Sequence, residues 1–322
     1  MRHFRSSRSA PYGPAWGSED VVPLQPPVDE AALPAAIARD FIARRIQAAR
    51  RQLASATGFV IDLDGTLVSG SQLMPGAKEL LEHAKDRYAI VSNNSRDTAV
   101  TLARKLGRLG LRTKPEHMVL AGEQAVRLMI ERYPGSRVRI VASPVLAQLA
   151  AALGGNVVEH EPEVILLGRD VHFSYQRLTS VANQLRRGAT LMVANPDLSH
   201  PAADGGVTPE TGSLMSAVIA CAGVEPVCVV GKPEPLLFRE ALRRLGTDAS
   251  TTLVIGDNPL TDGAGARQLA MQCLLVGRDA SANVSSLAPL FESDDPSESG
   301  DENHPDDGDG EHAGAARRAA SQ

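Results

Sequence analysis

The sequence predicts an α/β fold: an open parallel sheet with helices on both faces, interrupted by a second, smaller α/β block. Three observations predict it. From Gly58 onward, short apolar runs alternate with helix-length amphipathic stretches. The apolar runs are continuous rather than alternating, as strands buried on both faces require. Four of them end in clustered polar residues, and ligands in open parallel sheets bind beyond the carboxyl ends of the strands.

The elements follow in order. Residues 1–28 hold Arg, Ser, Pro and Gly with little periodicity and read as a disordered extension rather than a transit peptide, because the start lacks an apolar face. Residues 29–57 predict a helix, with Ile37, Phe41, Ile42 and Ile46 near helical spacing. "GFVIDL" is a strand, "PGAKELLEHAKD" a helix opened by Pro75, "YAIVSN" a strand, and "RDTAVTLARKLGRLG" a helix ended by Gly110. "GEQAVRLMIERYPG" is a further helix. Residues 136–226 then repeat the alternation with "RVRIVAS", "PVLAQLAAALGG", "EVILLG", "SYQRLTSVANQLRRG", "TLMVANPD" and "GSLMSAVIACAG", enough for a separate inserted domain. "VCVVG", "PEPLLFREALRRLG", "TTLVIGD", "DGAGARQLAMQ" and "CLLVG" resume the first block as strand, helix, strand, helix and strand.

Composition bounds the function. The 322 residues are 43% apolar and 22% charged, ordinary for a globular protein with a sizeable core. The net charge of −5 is uneven: residues 292–322 hold ten acids and two arginines, a balance of −8 that leaves +3 elsewhere. The tail reads as a solvated acidic segment. A near-neutral body gives no support to nucleic-acid binding, and no apolar run approaches a membrane span. Cys221, Cys228 and Cys273 are odd in number and lack metal-ligand spacing, which favours a reducing, cytoplasmic setting.

The chemistry sits at the four strand ends. The first carries Asp62, Asp64 and Thr66, the second Ser92, Asn93 and Asn94, the third Lys232, and the fourth Asp257, Asn258 and Asp262. Singly, each has an ordinary structural explanation as a helix cap or a turn. Together they fit phosphoryl transfer through a carboxylate nucleophile. Several carboxylates near one point need a cation, and Mg2+ prefers oxygen ligands and bridges to phosphate. Lys232, Ser92 and Asn93 can hold the remaining phosphate oxygens.

"DLDGT", "SNN", "GKPEP" and "GDNPLTD" resemble, in order, the four motifs of haloacid dehalogenase-superfamily phosphatases. "PGA", "NPDLSHP" and "TPETGSL" extend the resemblance to the subfamily of pyridoxal phosphatase, phosphoglycolate phosphatase, p-nitrophenyl phosphatase and NagD, from about Gly58 to about Arg278. The resemblance implies a Rossmann-like core in two parts, 58–135 and 227–291, with an α/β cap inserted at 136–226 between the second and third motifs. About 140 residues separate Ser92 from Lys232, against only about 25 between Thr66 and Ser92, so the insertion falls after the second motif.

The resemblance also implies roles. Asp62 is the nucleophile, and Asp64 is the general acid and then the base. Mg2+ is held by the Asp62 and Asp257 carboxylates and the Asp64 carbonyl. Asp262 orients the metal's waters or Lys232, with Thr66 and Asn258 in support. Ser92, Asn93, Asn94 and Lys232 bind phosphate, and His200 aligns with a coenzyme-contacting histidine of pyridoxal phosphatase. A structural histidine is the competing reading of His200. The implied activity is hydrolysis of a small phosphorylated metabolite through an aspartyl phosphate. The cap segments tilt the substrate towards pyridoxal 5'-phosphate over phosphoglycolate, glycerol phosphate, sugar phosphates or nucleoside monophosphates. Relatives dimerise through the cap, which implies a homodimer. The competing readings are a phosphotransferase on the same scaffold and a non-enzymatic protein that binds a partner through its charged extensions. The fourth motif departs from the family pattern, with Gly263 and Gly265 early in its helix and "LVGRD" after the last strand.

Overall fold

The computed structural model describes residues 35–201, 206–278 and 281–292. The expected N-terminal extension lies outside them, as does the acidic tail beyond its first residue. Among the described residues, two five-stranded sheets organise the chain. The first runs in the order Gln272–Leu275, Thr252–Gly256, Gly58–Ile61, Tyr88–Ser92, Met118–Leu120, with every pairing parallel. The central strand is buried along its whole length. Phe59 and Ile61 enter the apolar cluster on one face with Leu80, Ile90 and Leu102. Val60 enters the other with Ala89, Val254, Leu237 and Phe238. Burial on both faces explains the continuous apolar run. Because the strands are parallel, Asp62, Ser92 and Asp257 leave the sheet at the same edge.

The second sheet has the order Cys228–Val229, Thr190–Val193, Val164–Leu167, Arg137–Val141, Asn156–Val157 and is also parallel. The strand read from "VCVVG" belongs here and not to the first sheet: Cys228 pairs with Met192 and Val229 with Val193. Only two residues pair, and the chain then turns at Gly231 to bring Lys232 back towards the first sheet. Val164, Leu166 and Met192 of this sheet share an apolar cluster with Ala125, Val126 and Met129 of the helix Ala121–Arg132. A short antiparallel hairpin, Ser199–Pro201 with Val207–Pro209, follows the second sheet's Thr190–Val193 strand.

The N-terminal helix forms over Ala35–Ser55, but its packed face differs from the expected one. Ile37 and Ile42 are exposed, while Ala49 and Leu53 are buried and Ile46 packs partly against the core. Only the second half of the helix reaches the body, where Arg45 Nε donates to Asn283 O at 2.8 Å and Arg50 Nη2 to Pro289 O at 2.8 Å.

The unusual fourth-motif helix has a packing reason. It opens as a π-helical turn, Pro259–Gly263, continues as Ala264–Gln268 and stops. A Cβ on Gly265 would sit 2.2 Å from the ring of the fully buried Phe238, so the early glycine lets the helix close onto that ring. Gly265→Ala should therefore force the ring or the helix to shift and cost about 1–3 kcal/mol. Urea denaturation checks this; an unchanged midpoint would show that the contact is slack.

Candidate active site

Asp62 leaves the central strand with its N–H donating to Ile255 O at 2.8 Å. Its side chain is nearly inaccessible, and its two oxygens are separately engaged. Oδ2 accepts from Thr66 Oγ1 at 3.1 Å, and Oδ1 accepts from Lys232 Nζ at 2.5 Å. The turn between them depends on Gly65, whose φ of +91° falls in the left-handed region. A Cβ there would lie 2.0 Å from Asp257 Oδ2, so the glycine also lets the first and fourth motifs meet.

Lys232 is only 3% exposed and donates a second hydrogen bond to Asp262 Oδ1 at 2.7 Å. Burial alone would push its pKa down. The Asp262 and Asp62 carboxylates reverse that and hold it above the ordinary lysine value. Asp262 is positioned by the π-helical turn: Asn258 N donates to its Oδ2 at 3.3 Å, while Asn258 Oδ1 caps the turn by accepting from Leu260 N at 2.9 Å. Thr66 thus bonds to Asp62, Asn258 to Asp262, and Asp262 to Lys232.

Carboxylate oxygens of Asp62, Asp257 and Asp262 converge within 4.8 Å of one another. An all-oxygen, anionic donor set suits a hard divalent cation such as Mg2+. The Asp64 carboxyl is not part of this group. Burial pushes the Asp62 carboxyl well above the usual range; Lys232 pulls it back, and Asp262 and Asp257 push it up again. Asp257 is pushed up to about 6, by burial first and then by Asp262. One lysine among three acids leaves an excess of negative charge, which a divalent cation would offset.

The second strand end is tied to its neighbours by hydrogen bonds. Ser92 Oγ lies 3.4 Å from Asp64 Oδ2, a long contact, and accepts from Asn94 N at 3.1 Å. Asn93 stitches the loops together: its Oδ1 accepts from Lys232 N at 2.7 Å, and its Nδ2 donates to Asp197 Oδ1 at 3.0 Å and Lys232 O at 3.1 Å. The Asn94 side chain closes its own loop, with Oδ1 accepting from Arg96 N and Asp97 N, both at 2.9 Å. Both amide side chains are thus engaged within the protein. Asp64 is exposed, unlike Asp62. The surrounding protein raises its carboxyl, opposed by Lys232, the Ser92 hydroxyl, His200 and Arg169.

His200 stands on the hairpin opposite Thr208, with Nδ1 2.9 Å from Glu210 Oε1. Sequence reading missed the residues around it. Asn195 Nδ2 donates to Asn93 O at 2.8 Å, Ser95 Oγ at 3.1 Å and Thr211 Oγ1 at 3.2 Å. Arg169 N donates to Ser95 Oγ at 3.0 Å, and its guanidinium meets Glu210 at 2.8 Å. The available signal was positional: Arg169 follows a fully buried strand in "VILLGRD", as Asp62 does in "FVIDLDG".

Because Asp257 holds its proton up to about 6 and a metal ligand must be ionised, Mg2+ should bind with proton release below that pH. Affinity should fall at least about tenfold per unit of pH below 6, because the raised Asp62 carboxyl must also be ionised. Titration calorimetry in two buffers of different ionisation enthalpy checks this; a constant affinity from pH 5 to 7 would contradict it.

Comparison with known proteins agrees with this geometry. A family model described as haloacid dehalogenase-like hydrolase matches residues 59–156, and a second HAD-hydrolase-like model matches residues 229–294. A 5'-nucleotidase of Bacillus subtilis is 30% identical over 222 residues, covering 68% of this chain and 86% of its own. An acid sugar phosphatase of Staphylococcus aureus is 32% identical over 209 residues, covering 63% and 80%. Among solved structures, a 4-nitrophenylphosphatase from Thermotoga maritima superimposes with a TM-score of 0.69 at 27% identity, covering 74% of this chain and 97% of its own. A glycerol phosphate phosphatase from Mycobacterium tuberculosis, solved in complex with magnesium, gives 0.67 at 30% identity, covering 74% and 77%. With both halves of its acidic site matched and its fold shared, the chain belongs to the haloacid dehalogenase-like hydrolases, alongside phosphatases of the NagD and p-nitrophenyl phosphatase kind.

Proposed function

We propose that the protein is a magnesium-dependent phosphomonoesterase that hydrolyses a small phosphorylated metabolite through a phosphoryl group held on Asp62. The observation that carries this reading is the oxygen cluster of Asp62, Asp257 and Asp262 closed by Lys232. Mg2+ held there supplies positive charge to the phosphoryl oxygens. Thr66 and Lys232 fix the Asp62 carboxylate so that one oxygen attacks phosphorus in line with the ester oxygen. As that ester bond breaks, Asp64 gives its proton to the leaving oxygen. Its raised pKa keeps the proton available. Asp64 then takes a proton from water, which attacks the same phosphorus and releases Asp62 and inorganic phosphate. The second sheet and its hairpin act as a cap that chooses the leaving group. Lys232 also contacts phosphate in this reading, while Asn93 and Asn94 act by shaping the loop.

The substrate is a small phosphate monoester. Pyridoxal 5'-phosphate is supported by His200, which stands on the hairpin 2.9 Å from Glu210. The sugar phosphatase and glycerol phosphate phosphatase among the relatives support a polyol ester. The reading includes a cytoplasmic setting, supported by three free cysteines; no described helix is long and apolar enough to cross a membrane. It also includes a homodimer, supported by the exposed apolar Val171, Tyr175, Leu198 and Val207 on or beside the second sheet and its hairpin, and testable by sedimentation equilibrium.

With p-nitrophenyl phosphate and Mg2+, Asp62→Asn should lose about a thousandfold or more in kcat. Asp64→Asn should lose on the order of 10²–10⁴ and lose less with this good leaving group than with an alkyl phosphate. Undiminished turnover by Asp62→Asn would rule out the covalent route.

A further inference from the structure

Arg169, His200 and Glu210, which take no part in the chemical steps above, gather beside the second strand end. Arg169 follows the strand Val164–Leu167, His200 stands on the hairpin, and Glu210 opens the helix Thr211–Ala222. They are held as a unit. Arg169 N is bonded to Ser95, three residues beyond Ser92, and Thr211 Oγ1 lies 3.0 Å from the same Ser95 hydroxyl. Glu210 N donates to Leu198 O at 2.9 Å, and Gly212 N to Asp197 O at 2.7 Å. Glu210 Oε1 lies 2.8 Å from Arg169 Nη1 and 2.9 Å from His200 Nδ1. The histidine is close to that oxygen but not aligned to hydrogen-bond with it, and Arg169 Nε is buried with no partner. Arg169 and Glu210 are about equally enclosed, with side chains 16% and 15% exposed.

The charges around this point decide what fits. Arg169 and Glu210 are tied through Ser95 and Asp197 to the second strand end, whose Ser92 hydroxyl meets Asp64, and this sets them beside the carboxyl that serves the leaving oxygen. Glu210 cancels Arg169. Asp197, 3.0 Å from Asn93 through its Oδ1, adds a further acid. A leaving group with its own carboxylate or second phosphate would meet Glu210 and Asp197 with no uncommitted guanidinium to receive it. A hydroxyl would meet the opposite: a Glu210 carboxylate that can accept from it.

We propose that Arg169, Glu210 and His200 form a specificity element that selects phosphate esters with a neutral, hydroxyl-bearing leaving group and rejects anionic ones, Glu210 being the residue that rejects. This rests on the phosphomonoesterase reading for its substrate but can be tested without turnover. Binding to the Asp62→Asn protein is measured in Mg2+ by calorimetry with two esters of similar size, glycerol 3-phosphate and phosphoglycolate. Glycerol 3-phosphate should bind at least about tenfold more tightly. Glu210→Gln in the same background should remove or invert that preference by freeing Arg169 for the carboxylate. Arg169→Gln should change it in the opposite direction, by leaving Glu210 uncancelled, so the two substitutions check each other if one perturbs folding. Equal binding of the two esters, or a preference for phosphoglycolate that Glu210→Gln leaves unchanged, would overturn the proposal. The same ester preference in a wild-type protein that hydrolyses neither ester would support the specificity element while defeating the phosphatase reading. Robust hydrolysis without the preference would do the reverse.

Discussion

The buried ammonium of Lys232, held between Asp62 and Asp262, is the interaction on which the rest of the site depends. Three carboxylates within 4.8 Å of one another would not stay ionised together in a buried cleft. The lysine offsets part of that repulsion and is itself kept charged by the two acids. Its position is imposed from several directions. Its N–H and carbonyl are both bound by Asn93 from the second strand end, and Asp262 is presented by the π-helical turn. Removing one partner of such a pair leaves an uncompensated buried charge, which is costlier than the pair is stabilising.

The same constraint explains the glycines. Gly65 allows the first-motif turn to approach Asp257, and a Cβ on Gly256 would lie 2.4 Å from Asp262 Cγ. The acids can be brought this close only where the backbone between them carries no side chain. Convergence is therefore a property of the sheet edge as much as of the acids. Parallel strands deliver Asp62, Ser92 and Asp257 to one line, and the return from the second sheet delivers Lys232 across it.

Much of this was legible in the sequence because it is local. Each strand-end motif is a short run whose residue types follow from its chemistry, and continuous apolar runs separated by amphipathic ones reveal a parallel sheet. What was not legible depends on contacts between segments far apart in the chain. The sequence places Asn93 at a strand end but does not show that its amide ties that loop to Lys232, 139 residues on. "VCVVG" looks like a core strand, but only pairing decides which sheet takes it, and Cys228 and Val229 pair with Met192 and Val193. Ile37 and Ile42 have helical spacing, yet the body does not extend beneath them. Arg169 and Glu210 lie 41 positions apart, and only the fold makes them a pair.

In the proposed reaction, phosphate passes through Asp62 before water receives it. The stereochemical course at phosphorus tests this most directly, using a phosphate monoester made chiral with oxygen isotopes and sulfur and hydrolysed in isotopically labelled water. Two in-line displacements at one phosphorus, first by Asp62 and then by water, predict overall retention of configuration. Inversion would mean that water attacks the ester directly, with Asp62 serving only as a metal ligand.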